Sequence, residues 1–395
     1  MQRGRVRLHY SQGKKYKSLV KRKSVIAKFI DFPHRIDDLL EDGFGLVDSK
    51  KCIKSLFCWQ DDFKNIEKEK EKMCTCISCQ EKEFYFGRTL DLDTPFGEQV
   101  IVTPRNFPLR FADGKFHKHH YAIIGMGAGE RSYPLYADAV NEKGLCMAGL
   151  NFPGRTCYGK NGKEPQKIPS FDLIPWILGC CKTVEEAREK LEKTWVTDET
   201  FRLQMPSAPL HWMISDKKQS LVVEPKEGKM HFYDNPIGVM TNNPPFPYHK
   251  EHLIHHMNLT SKYPENRFSD KLNLKPFSQG MGAIGLPGDD SSVSRFVRAA
   301  FLKWNSPWGE KDDVTQFFHV LDGVSMIKGS VITKEGRMDF TRYACCIDAK
   351  NGVYYYKTYE NSRIQAISLK EIKIQEERLS FFEIGKEQEI HKIRK

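Results

Sequence analysis

From Cys74 onward the chain is a succession of short runs rich in aromatic and β-branched residues, and this texture constrains its fold more than anything else in it. "EFYFGRTLDLD" and "EQVIVTPRNFPLRFA" flank "TPFG", which reads as a turn. "HYAIIGMG", "LYADAVNEKGLCMAGLNF", "HWMISDKKQSLVVEP" and "KMHFYDNPIGVMT" continue the pattern. "YACCIDAKNGVYYYKTYE" reads as a hairpin turning at Asn351-Gly352. Helical patterns are fewer. Thr183 with Glu186 forms a capping box, and Val184, Ala187, Leu191 and Trp195 fall on one apolar face after it. "DLIPWILGCC" is a core helix, too short for a membrane span, and "SRFVRAAFLKW" and "VTQFFHVLDGV" also read as helices. Strands at both ends with helices between them predict an α+β fold of sheets covered by helices, not a repeating βαβ chain.

The first 72 residues differ in kind. They carry 18 Lys and Arg against 11 Asp and Glu, so most of the chain's net charge of +11 resides there. No period persists in "GKKYKSLVKRK", "DDLLEDGFG" or "EKEKEK". The Glu and Lys codons of Glu67–Lys72 consist of purines alone. A purine-rich stretch just ahead of a methionine codon is what a bacterial ribosome-binding site becomes when it is translated. Residues 1–72 are therefore expected to be an extra basic segment, a mis-assigned start or propeptide, weakly ordered. Residues 73–395 form the expected catalytic domain.

A start at Met73 would give Cys74 a chemical use. Once the methionine is removed, one residue offers both a thiol and a free α-amine. The amine, with a reference pKa of roughly 7.7–8.0, can serve as base to a thiol of roughly 8.5 without any histidine. That device works only where no peptide bond precedes the cysteine.

Seven motifs in order resemble one family. They are "MCT" at Met73, "FGRTLDLD" at Phe86, "NEKGLCMAGLNFP" at Asn141, "HWMISD" at His211, "GVMTNNP" at Gly238, "GLPGDDSSVSRFVR" at Gly285 and "YYYKTYEN" at Tyr354. From Met73 to about Ile364 the chain is similar to the choloylglycine hydrolases, which comprise bile salt hydrolases and penicillin V acylases. The resemblance implies an N-terminal-nucleophile fold, a four-layer αββα sandwich of two antiparallel sheets, and hydrolysis of linear amide bonds. It matches Cys74 to the nucleophile, Arg88 to the arginine beside it, and Asp91 to the aspartate that orients the α-amine. Asn242 matches a side-chain donor of the oxyanion hole, Asn151 the position whose backbone N–H completes it, and Arg295 a second, electrostatic arginine. Leu90 and Phe96 are apolar candidates for substrate contact. Asn151 leans toward the bile salt branch, since penicillin acylases often carry tyrosine there. The Cys74–Arg88 gap is about two residues shorter than the family pattern, which implies a tighter first hairpin. The resemblance also implies a homotetramer built through Pro245–Phe277. It implies no cofactor and no metal.

Other classes are disfavoured. "CTCISC" is thiolate-rich but has no second knuckle at zinc spacing. His252 and His256 lie four apart without the His-Glu-x-x-His order. The basic N-terminus carries no nucleic-acid motif. No apolar stretch reaches membrane-span or secretory length, and 11 cysteines in a long chain without an export signal read as reduced thiols. The expected setting is cytoplasmic.

Overall fold

A computed structural model describes residues 72–111, 116–117, 119–130, 133–159, 166–201, 207–309 and 313–393. Apart from Lys72, the segment expected to be an extra basic arm lies outside the described residues.

Two antiparallel sheets carry the fold. The first contains β1 (Met73–Cys79), β2 (Tyr85–Leu92), β10 (Val239–Met240), β11 (Met338–Asp348), β12 (Val353–Thr358) and β13 (Gln365–Ser368). Their order is β10-β1-β2-β11-β12-β13, with Val331–Ile332 pairing off β11. The second contains β3 (Glu98–Thr103), β4 (Ile123–Glu130), β5 (Tyr133–Asn141), β6 (Cys146–Asn151), β7 (Leu210–Ser215), β8 (Ser220–Lys226), β9 (Lys229–Asp234) and β14 (Ser380–Glu383). Its order is β9-β8-β7-β6-β5-β4-β3-β14.

The layering follows from strand periodicity. Val100, Val102, Ile124, Met126, Cys146, Ala148, Leu150, Met213 and Val222 join the core cluster that also holds the first sheet. Their strand neighbours Ile101, Ile123, Leu145, Met147, Trp212, Ile214, Leu221 and Val223 belong to a second cluster. The second sheet is therefore apolar on both faces. One face meets the first sheet. The other is covered by α1 (Leu173–Cys180) and α2 (Val184–Leu191), whose Leu173, Ile177, Val184, Ala187 and Leu191 lie in the second cluster. The outer face of the first sheet is covered by α4 (Ser292–Asn305) and α5 (Asp313–Asp322). The result is the αββα sandwich. Each fully buried Val, Leu, Ile or Met contributes about 1.5–3 kcal/mol, so two apolar faces on one sheet are a strong device for fixing its position.

Several local expectations meet the structure. Thr183 Oγ1 accepts from the Glu186 N–H at 3.2 Å and caps α2. The helix ends at Leu191, and Trp195 lies instead in a short strand, Thr194–Thr197, so the apolar face is one residue shorter than its periodicity suggested. The β11–β12 hairpin has a wider turn than a two-residue Asn-Gly loop. The Gly352 N–H returns to Asp348 O at 2.8 Å, and Gly352, at φ 66°, supplies the left-handed residue while Asn351 does not. The β1–β2 hairpin is closed over its full length, from Met73 opposite Asp91 to Cys79 opposite Tyr85. On the other edge of β2, Gly87 permits the close approach of β11, since a Cβ there would lie 2.0 Å from Cys345 O.

Candidate active site

Cross-strand register decides which side chains share a face. Cys74 stands opposite Leu90, and Cys76 opposite Arg88, so these four point to one side of the first sheet. That side faces the second sheet, because Arg88 Nη1 donates to Gly149 O at 2.6 Å and to Ala137 O at 3.2 Å. Met73, Thr75, Thr89 and Asp91 have the opposite parity and point toward α4. There Arg295 donates from Nη1 to Thr75 Oγ1 at 2.7 Å and to Cys74 O at 2.6 Å.

Asn242 joins the two sides. It follows β10, whose Met240 pairs with Cys76. Its Oδ1 accepts from the Cys74 backbone N–H at 2.8 Å and from Arg295 Nη2 at 2.9 Å. Its Nδ2 donates to Asn151 O at 2.8 Å and to Lys72 O at 3.1 Å. Ser292 Oγ holds the Asn242 backbone N–H at 3.0 Å, and the His249 imidazole lies 3.0 Å from its carbonyl through Nε2. Burial depresses His249 to about 4, so it is neutral and can donate there.

The electrostatics set two carboxylates and two guanidiniums against one thiol. Burial pushes the Cys74 thiol up, and the Arg88 guanidinium offsets only part of that rise. Burial raises Asp91 to about 6 against the opposing pull of Arg295. Its oxygens accept from Thr341 Oγ1 at 2.6 Å and Thr89 Oγ1 at 3.3 Å. Arg88 Nη2 is buried without a hydrogen-bond partner. Behind it, Asp138 lies 4.0 Å from Nε and accepts from the phenols of Tyr343 at 2.5 Å and Tyr354 at 2.6 Å. A thiol, a backbone N–H and an amide group are thus fixed between two arginines with no water-exposed member. Cys74, Arg88, Asp91, Asn151, Asn242 and Arg295 are each at most 5% exposed. Such a set can bind and polarise a carbonyl beside a sulfur nucleophile.

Among the described residues no group of three or more His, Cys, Asp or Glu could hold a metal ion, and no helix is long and apolar enough to cross a membrane. The model of the linear amide C–N hydrolases, choloylglycine hydrolase family, matches residues 74–382, and so begins at Cys74. The chain belongs to the choloylglycine hydrolase family.

Its similarity to individual members of this family is extensive. A bile salt hydrolase/transferase of Lactiplantibacillus plantarum is 46% identical over 299 residues, covering 75% of this chain and 92% of that protein. One from Clostridium perfringens is 39% identical over 305 residues, with the same coverage of 75% and 92%. The crystal structure of a mutant conjugated bile acid hydrolase from Clostridium perfringens superposes with a TM-score of 0.76 at 36% identity, covering 81% of this chain and all of that one. A penicillin V acylase from Agrobacterium tumefaciens shares the fold, with a TM-score of 0.62 at 20% identity, 78% coverage of this chain and 90% of that one.

Within this choloylglycine hydrolase, the structure brings Cys74, Arg88, Asp91, Asn151, Asn242 and Arg295 into one buried group. Leu90 is buried directly across from Cys74, while Phe96 lies in the turn after β2, half-buried against the core. Asp138, Tyr343, Tyr354, Thr341 and Ser292 escaped the sequence reading. Asp138 left a usable signal: it shares the inward parity of Val140 and sits between Ala137 and Ala139, where a carboxylate needs partners.

Proposed function

We propose that this enzyme deconjugates bile salts, cleaving the amide between a steroid acid and glycine or taurine, with Cys74 as an N-terminal nucleophile. The observation that carries the reading is the Cys74–Asn242–Arg295 cluster at the residue where the family match begins. The relatives named as bile salt and conjugated bile acid hydrolases support the substrate.

Removal of residues 1–73 would do two things at once. It would convert the Cys74 N–H held by Asn242 into a free α-amine. It would also withdraw the Lys72 carbonyl from Asn242 Nδ2, freeing that donor for a substrate oxyanion. The amine then takes the thiol proton, and Arg88 favours the thiolate. The thiolate attacks the amide carbonyl. Asn242 Nδ2 and the Asn151 backbone N–H stabilise the developing charge. The α-ammonium returns its proton to the departing amine, leaving an acyl-thioester. A water activated by the same amine hydrolyses the thioester. Asp91 orients the amine, and Arg295 fixes the Cys74 carbonyl and Asn242 Oδ1 together. Leu90 and Phe96 supply apolar contact.

We assign residues 1–72 as an extra segment absent from the working enzyme, and a cytoplasmic setting. The nine described cysteines, all free thiols, suit a reducing compartment. We also assign a homotetramer built on the Pro245–Phe277 excursion. Side-by-side turnover of glycocholate, taurocholate and penicillin V tests the substrate. Faster turnover of either bile salt is expected, and exclusive turnover of penicillin V would assign the enzyme to the acylase branch.

A further inference from the structure

The far end of β1 holds a second chemical group, unrelated to the nucleophile. Cys79 is five residues beyond Cys74, roughly 17 Å away at about 3.3 Å per residue. A cavity of about 360 Å³ opens there, lined by Cys79, Glu81, Pro236, Lys303, Trp304 and Trp308 among others. Lys303 is unusual in this lining. It belongs to α4, yet it is only 6% exposed. Its Nζ donates to the carbonyl of Ile237 at 2.8 Å and lies 4.3 Å from the Trp304 ring centroid. Trp304 Nε1 donates to the same carbonyl at 3.0 Å, so the Trp304 indole and the amine share one acceptor, while Trp308 Nε1 donates to the main-chain carbonyl of Lys303 at 2.9 Å and holds the helix end beside them. Gly238, at φ 67°, leaves the space: a Cβ there would stand 2.5 Å from Nζ.

We propose that Lys303 is a covalent modification site, acylated through this cavity by small acyl phosphates. Three conditions for a reactive amine meet here. The cavity gives a small electrophile access to Nζ. The Ile237 carbonyl and the Trp304 face restrict the amine to one orientation. Burial depresses its pKa to about 8, against weak opposing pulls from Cys79 and Glu81, because its near partner is a carbonyl and not a carboxylate. In the reaction the Nζ lone pair forms the N–C bond. The C–O bond to phosphate breaks with its electron pair on the phosphate, and the amine proton passes to solvent. The product amide is neutral.

Lys350 supplies the internal contrast. It is well exposed, but its ammonium is held at 2.8 Å by Glu83, which raises its pKa. Near pH 7.5 an amine at about 8 has a neutral fraction roughly a hundredfold larger than an ordinary lysine. Lower basicity offsets part of that advantage. The test is incubation of the full chain with acetyl phosphate, with site-resolved acetylation rates read by tandem mass spectrometry. Lys303 is expected to acetylate about tenfold faster than Lys350, with a rate that levels off above about pH 8 and an advantage that vanishes in denaturing urea. Acetylation of Lys303 no faster than that of Lys350, or a rate still climbing past pH 9–10 as for an ordinary lysine, overturns the proposal.

Discussion

Asn242 Oδ1 accepts a hydrogen bond from the Cys74 backbone N–H at 2.8 Å, while the same oxygen is held by Arg295 at 2.9 Å. The amide oxygen is therefore pinned from two directions before any substrate arrives. Only a nitrogen at the Cys74 position completes the arrangement. A free α-amine at that position is expected to keep this bond, and in addition it can carry a proton.

This geometry makes the state of the Met73–Cys74 bond decisive. A chain beginning at Cys74 is expected to hydrolyse conjugated bile salts. A chain retaining that bond is expected to be slower by at least about a hundredfold, since its nitrogen cannot act as general base. Intact mass measured alongside turnover checks this. Full activity in protein whose mass includes residues 1–73 would contradict it.

Nucleophile and oxyanion donor are separable by substitution. Cys74→Ser keeps the amine but exchanges the thiol for a hydroxyl whose proton is held far more tightly, so turnover should fall by orders of magnitude while substrate still binds. Cys74→Ala should abolish turnover. Asn242→Ala removes a donor aimed at transition-state charge, and kcat should drop by about 10²–10³ with a smaller change in binding. The losses should not add in the double variant, because without the thiolate there is little oxyanion to stabilise. Cys345→Ser, in the core of β11, serves as a control that costs stability at most. Near-normal turnover by Cys74→Ala would remove the mechanism.

The sheets and the long helices were legible in the sequence because period-2 and period-3.6 patterns are local. The four layers were legible only through the family resemblance and not through periodicity, because the layering depends on a whole strand being apolar on both faces, as Ile101 with Val102 and Ile123 with Ile124 are. A run of that kind reads equally as core strand or buried helix. Catalytic candidates were legible through motif order. Their supports were not, because Asp138 meets Tyr343 and Tyr354 across more than two hundred residues of chain, a pairing that the packing of two sheets creates. The β11–β12 turn was legible as a turn but not in its form, which the Asp348–Gly352 bond fixes.

Asp339 gives a pH signature. It is 2% exposed, its Oδ1 has no hydrogen-bond partner, and burial, reinforced by Asp91 and Asp93, raises its pKa to about 7. The unfolded value is about 3.9, so the folded chain binds the extra proton between those limits. Its contribution to stability is full below about pH 4 and is lost as pH rises to about 7. Asp339→Asn should flatten that slope and stabilise the enzyme near pH 7 by roughly 2–4 kcal/mol, because the amide needs no charged form. Urea unfolding at several pH values reads the difference. An unchanged slope would place the titration elsewhere.

The excursion after Asn242 argues for assembly. Between Pro245 and Phe277 the chain forms α3 (Phe246–His252), a short 3-10 turn, and then a long segment without regular structure. Met257, Tyr263, Phe268, Leu274 and Phe277 are all more than half exposed there, with Phe268 at 82% and Phe277 at 86%. Apolar side chains gathered so densely on one segment are a liability in an isolated subunit and an asset in an interface. Replacing Phe268 and Phe277 together by Ser should leave the sandwich intact, since neither belongs to a core cluster. It should shift the particle from tetramer toward smaller species by light scattering at micromolar concentration. Asn242 lies only four residues before α3, and His249 within α3 holds its carbonyl, so the dissociated form should also lose turnover. A tetramer surviving both substitutions would move the interface off this segment, and a monomeric parent enzyme would remove it altogether.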